Sequence, residues 1–262
     1  MTKYKAIIFD YDGTLKLANQ KRITNSIRSI LTQLKEQGFI IFLATGRPHN
    51  HCDYLLDEGL VDCIISANGA LVANDSTIID SYNYSTTNIK KIEDFCKDKQ
   101  IPCTFYTDEL LYNGIQNPNL ELGLKESMDL RIHQVERYNH SVVTQVHLIC
   151  LFCLTETDIE LNNHFSTLKV SRWHPTIVSL LEKDITKMTG ILKALSYYNL
   201  TISDCIAIGD GSNDIEMINE SGLGIAVGFN NQKLISVADL VIPEVDESLL
   251  EICAQRRISS SS

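Results

Sequence analysis

The chain has 262 residues, of which 44% are hydrophobic, so it is long enough to bury the core of one or two domains. Its 33 acidic and 23 basic side chains give a net charge of −10, which argues against nucleic acids and anionic membrane surfaces as partners. It shows no signal peptide and no apolar stretch of membrane-spanning length, and its eight cysteines are scattered, so we expect a protein of the reducing cytoplasm.

The first predicted element is a buried strand that ends in two carboxylates. The apolar run Ala6–Phe9 is followed directly by Asp10-Tyr11-Asp12-Gly13-Thr14. In a parallel α/β sheet, ligands bind in the crevice at the carboxyl ends of the strands. Both acids are therefore expected where such a sheet carries out chemistry, although an ordinary turn also favours Asp and Gly.

The next elements continue an alternation of helices and strands. Apolar spacing predicts a helix over Thr24–Gln37 that Gly38 ends, and then a strand over Phe39–Leu43 that leads into Ala44-Thr45-Gly46-Arg47. The predicted elements that follow are a short helix over His49–Glu58, a strand over Cys63–Ser66 leading to Asn68-Gly69, and a hairpin over Leu71–Asp80.

Residues 83–183 interrupt this alternation, and the segment is far too long for a loop, so we predict an inserted domain. Its predicted elements are helices over Thr87–Lys99 and Thr157–Phe165 and strands over Thr104–Tyr106, Val146–Leu154 and Ile177–Leu181. The cluster Arg172-Trp173-His174-Pro175 is a candidate for contact with a sugar or a second phosphate, although a Trp beside a Pro also packs domain edges.

After the insertion the alternation resumes, with Lys187 near the start of a helical pattern. The strand Cys205–Ile208 ends in Gly209-Asp210-Gly211-Ser212-Asn213-Asp214, the third strand to be followed by glycines and by acidic or hydroxyl residues. Strands alternating with helices predict an α/β fold, a doubly wound parallel sheet formed by residues 1–82 and 184–262. The remaining predicted elements are helices over 191–198 and 215–220 and strands over 224–227 and 240–242.

These motifs, in this order, resemble those of the haloacid dehalogenase-like phosphatases, and most closely the Cof-type sugar-phosphate phosphatases. The matching motifs are Asp10-x-Asp12-Gly-Thr14, Thr45-Gly-Arg47, Lys187 and Gly209-Asp210-Gly-x-Asn213-Asp214. The resemblance implies a Rossmann-like core, an α+β cap over residues 83–183 that selects the substrate, and a phosphoaspartyl enzyme with Mg²⁺. The chain departs from the family at Met188, where Gly is usual, and at Phe229, where Asn is common.

Two acids of the first motif have distinct expected roles. Enzymes accelerate phosphate-monoester hydrolysis by up to ~10²¹, so several groups must act together. Asp10 is the predicted nucleophile, because a carboxylate that attacks phosphorus splits one difficult step into two easier ones. Asp12 is the predicted general acid and base, which protonates the leaving alcohol and then takes a proton from the attacking water.

The acids of the first and last motifs point to a metal. Asp10, Asp12, Asp210 and Asp214 are expected to crowd one pocket, where two like charges about 4 Å apart repel by roughly 4 kcal/mol at a dielectric near 20. All-oxygen ligands suit Mg²⁺, with Asp10 and Asp210 as the predicted side-chain ligands. The resemblance adds the backbone carbonyl of Asp12 and makes Asp214 a direct or outer-shell ligand, with Asn213 nearby.

The remaining site residues are predicted to bind the phosphoryl group and the substrate. Thr45 offers a hydroxyl beside backbone N–H donors, and Lys187 offsets the charge of the nucleophile and the phosphoryl group. The predicted substrate-binding set also includes Gly46, Arg47, Asn68 and Asn213, although Arg47 is nearly as compatible with an ordinary surface position.

Together these features predict a Mg²⁺-dependent phosphatase of small phosphorylated metabolites, with sugar phosphates as the expected class, acting as a monomer or weak homodimer. One alternative is a phosphotransferase or phosphomutase that passes the aspartyl phosphate to another alcohol. A receiver-like signalling module is opposed by Asp12 and by the insertion, since such a module has one domain without a cap. A non-catalytic phosphometabolite sensor is expected to have lost at least one motif residue.

Overall fold

The computed structural model describes residues 4–17, 20–107, 109–128, 130–139 and 145–257, which fall into two compact units. The first unit joins Met1–Asp80 to Thr186–Ser262, and the second is the continuous segment Ser81–Ile185. The sequence-based prediction put the divisions after residues 82 and 183, two residues from each of these bounds. Within the described residues, no helix has the length and apolar character needed to cross a bilayer.

The chain begins with β1 (Ala6–Asp10), α1 (Asn25–Glu36), β2 (Ile40–Ala44), α2 (Tyr54–Asp57), β3 (Cys63–Ser66), β4 (Leu71–Ala73) and β5 (Ile78–Ser81). It continues with α3 (Thr86–Asp98), β6 (Cys103–Tyr106), β7 (Leu110–Tyr112), α4 (Pro118–Met128), β8 (Glu136–Arg137), β9 (Leu148–Phe152), α5 (Asp158–His164), β10 (Leu168–His174) and β11 (Ile177–Glu182). It then forms α6 (Lys187–Tyr197), β12 (Cys205–Gly209), α7 (Ile215–Glu220), β13 (Leu223–Val227), α8 (Gln232–Ile235), β14 (Leu240–Ile242) and α9 (Ser248–Arg257).

The first unit is built on an eight-stranded sheet in the order β14-β13-β12-β1-β2-β3-β4-β5. The strands from β14 to β3 are parallel to one another, and β4 runs antiparallel to β3. Strand β1 lies between β12 and β2, so the three strands that precede the predicted motifs are neighbours. Their carboxyl ends share one edge of the sheet, which is the edge where parallel sheets bind ligands.

Helices cover both faces of this sheet, as the predicted doubly wound fold requires. Ile7 and Phe9 of β1 belong to the hydrophobic core under α1, α2 and α9, whereas Ala6 and Ile8 belong to the core under α6, α7 and α8. All five residues of β1 are buried, which is typical of a parallel strand covered on both sides. The α/β prediction is therefore confirmed.

The predicted first helix is also present. It starts after the N-cap Thr24, whose hydroxyl oxygen accepts the N–H of Ile27 at 3.3 Å, and it stops before Gly38, which adopts φ +84°. The helix predicted over His49–Glu58 is shorter than expected. It divides into a 3-10 turn at His49–His51 and the single turn of α2, whose first N–H is bound by the Asp53 carboxylate.

The second unit is an α+β structure around a sheet with the order β10-β11-β9-β6-β7-β8. Its pairings are antiparallel except for the parallel pair of β7 and β8. Phe105, Ile149 and Val178 point into one core together with α3 and α5. On α4, a Cβ built at Gly123 would come within 2.8 Å of the Phe152 ring, so a glycine lets this helix pack closely on β9.

Helix α4 and strands β7, β8 and β10 of this unit were not predicted from the sequence. Gly123 interrupts the apolar face of α4, and β10 consists largely of polar residues. Arg172 of β10 is bound within the unit: its guanidinium donates to Asp158 at 2.6 and 2.9 Å and to the carbonyl oxygens of Cys153, Leu154, His174 and Pro175. These bonds make Arg172 an anchor of the unit's own chain. All eight cysteines are buried free thiols.

Candidate active site

The carboxyl end of β1 brings the three strand-end motifs together. Asp10 is the last residue of β1 and pairs with Ala44, so Thr45 is the next residue on the neighbouring strand. On the other side, Phe9 pairs with Ile208, and Gly209 and Asp210 follow it. The register of a parallel sheet thus places the predicted nucleophile between the threonine motif and the acidic loop.

Lys187 lies in direct contact with the predicted nucleophile. It is the first residue of α6, which begins at the N-cap Thr186 through a hydrogen bond from the N–H of Thr189 at 3.1 Å. Its side chain is 2% exposed, and its Nζ lies 2.6 Å from Oδ1 of Asp10 and 2.7 Å from Oδ1 of Asp214. An ammonium group this deeply buried requires such partners, because desolvation of an unpaired charge costs several kcal/mol.

Three carboxylates form a group of metal-ligand type. Asp10, Asp210 and Asp214 each offer one oxygen, and these atoms all lie within 4.8 Å of one another. The Thr14 hydroxyl donates to Oδ1 of Asp210 at 3.1 Å, a contact that was not predicted from the sequence. Gly13 adopts φ +86°, and a Cβ there would stand 2.1 Å from Oδ2 of Asp210, so only glycine fits at this turn.

The electrostatics of this group favour a bound cation. Burial, followed by the charge of Asp214, raises the pKa of Asp10 well above its usual value despite the opposing effect of Lys187. Burial and Asp214 likewise raise the pKa of Asp210. Burial lowers the pKa of Lys187, but Asp10 and Asp214 outweigh that effect and leave it above its ordinary value. One ammonium group therefore does not balance three acids, and the three carboxylates together offer the oxygen donors of a metal site.

Asp214 has both of its oxygens engaged. Oδ1 accepts from Lys187, and Oδ2 accepts the backbone N–H groups of Asp210 at 3.2 Å and Gly211 at 2.8 Å. These bonds shape the acidic loop and hold Lys187 in place. Asn213 lies in the same loop and is exposed. The Asn231 amide also reaches this loop and donates to the Asp210 carbonyl oxygen at 3.4 Å, a contact that was not predicted from the sequence.

The Asp12 carboxylate lies apart from the other three acids. Arg47 binds both of its oxygens, with Nε 2.6 Å from Oδ2 and Nη2 2.8 Å from Oδ1, and Lys16 Nζ lies 3.4 Å from Oδ1. The Asp12 side chain is 46% exposed. The three carboxylates that lie within 4.8 Å of one another therefore do not include Asp12. Arg47 and Lys16 compensate its charge, and a pocket shared by all four acids stays a prediction.

The threonine motif is joined to the loop after β3. The Arg47 N–H donates to Oγ1 of Thr45 at 3.1 Å, and the Asn68 N–H donates to the Thr45 carbonyl oxygen at 3.0 Å. Thr45 is buried, and a Cβ on Gly46 would stand 3.2 Å from the Asn68 side chain. The structure thus brings Thr45, Gly46, Arg47 and Asn68 together beside Asp10, whereas Asn213 lies on the opposite loop.

Two glycines allow α6 to approach the turn Ala67–Gly69. A Cβ on Gly69 would lie 2.0 Å from the carbonyl oxygen of Thr186, and one on Gly190 would lie 2.7 Å from the Cα of Gly69. Backbone therefore meets backbone at this contact. Since Lys187 is on the first turn of α6, the contact also sets the depth at which its ammonium group sits.

Gly190→Ala is expected to destabilise the protein by about 1–3 kcal/mol, because the added methyl group forces the helix away from the turn. Urea unfolding followed by circular dichroism measures the change. Ser196→Ala, at an exposed position of the same helix, is the matched control and should change stability little. Equal unfolding midpoints for Gly190→Ala and the parent protein would show that the contact is not tight.

Comparison with known proteins agrees with this geometry. A family model described as haloacid dehalogenase-like hydrolase matches residues 7–249. The protein YkrA of Bacillus subtilis (strain 168) is 28% identical over 251 residues, covering 93% of this chain and 93% of YkrA. From the same organism, 5-amino-6-(5-phospho-D-ribitylamino)uracil phosphatase YitU is 26% identical over 246 residues, covering 87% of each chain.

A solved structure is similar over most of the chain as well. The HAD subclass IIB sugar phosphatase BT4131 matches with a TM-score of 0.77 and 26% identity, covering 90% of this chain and 92% of that one. The resemblance read from the four motifs is confirmed, since the family match includes every one of them. The chain belongs to the haloacid dehalogenase-like hydrolases.

Proposed function

We propose that this chain is a Mg²⁺-dependent phosphatase that hydrolyses small phosphorylated metabolites, with sugar phosphates as its substrate class. The contact between Asp10 and Lys187 carries the proposal, because it places a buried carboxylate against an ammonium group at the ligand-binding edge of the sheet. The substrate class rests on similarity to BT4131, a sugar phosphatase, and to YitU, which is named for a phosphorylated ribityl compound.

In the first step, a carboxylate oxygen of Asp10 bonds to phosphorus while the bond from phosphorus to the alcohol oxygen breaks. Protonated Asp12 gives its proton to that leaving oxygen. In the second step, Asp12 takes a proton from water, the water oxygen bonds to phosphorus, and phosphate leaves as the Asp10 carboxylate is restored. Arg47 donates to both oxygens of Asp12 in the structure and so holds this carboxylate in place.

The other groups of the site orient the phosphoryl group and stabilise its negative charge. The Thr45 hydroxyl oxygen accepts the Arg47 N–H, which leaves its own proton to donate to a phosphoryl oxygen. Lys187 stabilises the negative charge that Asp10 shares with the phosphoryl group. Mg²⁺ held by Asp10, Asp210 and the backbone carbonyl of Asp12 would supply positive charge to the phosphoryl oxygens. We assign Asp214 to the outer shell, because Lys187 and two backbone amides already occupy its oxygens.

Substrate recognition is proposed for the residues beside these groups. Gly46, Arg47 and Asn68 lie next to Thr45, and exposed Asn213 follows Asp210, so each can offer a donor at the same edge of the sheet. We propose that the second unit, Ser81–Ile185, is the substrate-specificity domain, as the family resemblance implies.

Removal of the metal is expected to abolish turnover of p-nitrophenyl phosphate. Without a divalent ion, the three acids repel an incoming phosphate, so we expect a fall of at least about a hundredfold that added MgCl₂ reverses. Ca²⁺ should not replace it, since Ca²⁺ takes more ligands at longer distances. Initial rates after dialysis against EDTA measure the effect. Equal rates in EDTA and in MgCl₂ would contradict the proposed metal requirement.

The substrate class needs a separate test. Phosphate release is measured with a panel of sugar phosphates, nucleotides and phosphopeptides at equal concentration in MgCl₂. The proposal predicts the highest kcat/KM among sugar phosphates. Turnover confined to nucleotides or phosphopeptides would refute the substrate class and leave the phosphatase chemistry intact.

A further inference from the structure

Tyr11 stands between the two acids of the first motif, and its side chain is fully buried. Its hydroxyl lies 2.9 Å from the hydroxyl of Tyr54, the first residue of α2. Both rings belong to the apolar core that contains Ile7 and Phe9. A buried hydroxyl needs a hydrogen-bond partner, and here the two tyrosine hydroxyls are each other's partners. The bond therefore fixes the position of the Tyr11 ring within the core.

The Tyr11 ring supports the guanidinium group of Arg47. The Cζ atom of Arg47 lies 5.1 Å from the centroid of this ring, within the range of a cation–π interaction. The Arg47 side chain is 12% exposed, so water screens this contact little. The same guanidinium donates to both oxygens of Asp12. A continuous series of contacts thus joins Tyr54, Tyr11, Arg47 and Asp12.

Two further arginines support Tyr54, the second tyrosine of the hydrogen-bonded pair. The Arg22 guanidinium lies 4.3 Å from the centroid of the Tyr54 ring, and that of Arg28 lies 5.8 Å from it. Arg28 is in turn bound to Glu58 at 2.7 Å. Tyr54 is therefore held by its hydroxyl and by cations over its ring, and it cannot shift without breaking these contacts.

We propose that Tyr11 and Tyr54 form a platform that positions Arg47 and, through Arg47, the Asp12 carboxylate. The platform is defined as these two tyrosines, and both are positioning residues. A guanidinium that binds both oxygens fixes the plane of a carboxylate as well as its place. The platform thereby sets where the proton of Asp12 meets the leaving group. This inference rests on the proposed function, because it requires Asp12 to act as the general acid.

The leaving group separates this role from a purely structural one. Benzyl phosphate releases an alkoxide, which needs a proton as the bond to phosphorus breaks. p-Nitrophenyl phosphate releases a phenolate that is stable without one. The value of kcat/KM reports the steps up to the first irreversible bond cleavage. A displaced Asp12 should therefore lower kcat/KM selectively for benzyl phosphate. A general loss of folded enzyme would lower kcat/KM equally for both substrates.

The test compares kcat/KM for the two substrates in MgCl₂. In Tyr11→Leu, the ratio of kcat/KM for benzyl phosphate to kcat/KM for p-nitrophenyl phosphate is expected to fall about tenfold. A change of this size corresponds to the loss of one buried cation–π contact. Tyr54→Phe, which removes the hydroxyl bond but keeps both rings, should cause a smaller fall. Tyr11→Met also removes the ring and has the same expected result, so it replaces Tyr11→Leu if that variant does not fold.

The matched control is Tyr4→Leu. Tyr4 is a buried tyrosine of the same core whose hydroxyl donates to the Gly222 carbonyl oxygen at 2.7 Å, remote in sequence from the threonine motif. This variant should lose stability but keep the substrate ratio of the parent protein. An unchanged ratio in folded Tyr11→Leu or Tyr11→Met would overturn the platform. Failure of the parent protein to hydrolyse p-nitrophenyl phosphate would instead refute the proposed function.

Discussion

Asp10→Asn is expected to lower kcat for p-nitrophenyl phosphate by roughly 10⁴-fold, the scale seen when a catalytic nucleophile is removed. The amide has nearly the shape of the carboxylate but is a far weaker nucleophile towards phosphorus. Initial rates in MgCl₂ measure the loss. Turnover close to that of the parent protein would show that Asp10 does not attack the substrate.

The same variant should remain folded. Burial and the charge of Asp214 hold the pKa of Asp10 well above its usual value, which means that its ionised form is unfavourable in the folded protein. Replacing it with a neutral amide in metal-free buffer should therefore leave the melting temperature unchanged or higher. Asp57→Asn, at an exposed position of α2, is the matched control and should retain full turnover.

Lys187→Met is expected to destabilise the protein by about 3–5 kcal/mol and to abolish turnover. The methionine fills a similar volume, but it leaves the buried Asp10 and Asp214 without the ammonium group that lies 2.6 and 2.7 Å from them. Thermal and urea unfolding measure the stability. Lys193→Met, at an exposed position of the same helix, is the matched control and should behave like the parent protein.

The stability loss in Lys187→Met should depend on pH. Lys187 lowers the pKa of Asp10, so its removal raises that pKa further above the unfolded value of about 4. A carboxyl group with a raised folded pKa contributes stability below the unfolded pKa and loses it as pH rises through the folded pKa. The melting temperatures of variant and parent should therefore differ more at pH 8 than at pH 5. An equal difference at both values would indicate a packing defect instead.

The sequence reveals the convergence of Asp10, Thr45 and Asp210 because a parallel sheet has simple geometry. Each residue follows a short apolar strand, and the strands β12, β1 and β2 are neighbours, so their carboxyl ends must meet. The position of Lys187 is harder to predict, because its helix comes after a long insertion. Only the order of the motifs indicates that it reaches Asp10. The glycines at 69 and 190, which seat that helix, have no signature in the sequence.

The place of Asp12 could not be read from the motif. Its spacing from Asp10 suggests a shared pocket, but the turn that follows brings Lys16 back towards it, with the Gly13 N–H donating to the Lys16 carbonyl oxygen at 2.8 Å. Arg47 then closes on both carboxylate oxygens from the neighbouring loop. The bond between Tyr11 and Tyr54 is equally hidden, because nothing in the residues that flank the two tyrosines indicates a contact between them.

The most direct test of the central claim is to trap the bond between Asp10 and phosphorus. Borohydride added during turnover reduces an aspartyl phosphate to homoserine, and trypsin releases the site as the peptide Ala6–Lys16. Fragmentation of this peptide in the mass spectrometer separates Asp10 from Asp12. We predict homoserine at position 10 only when substrate and MgCl₂ are both present. An unmodified peptide recovered during active turnover, or homoserine at position 12, would contradict the account.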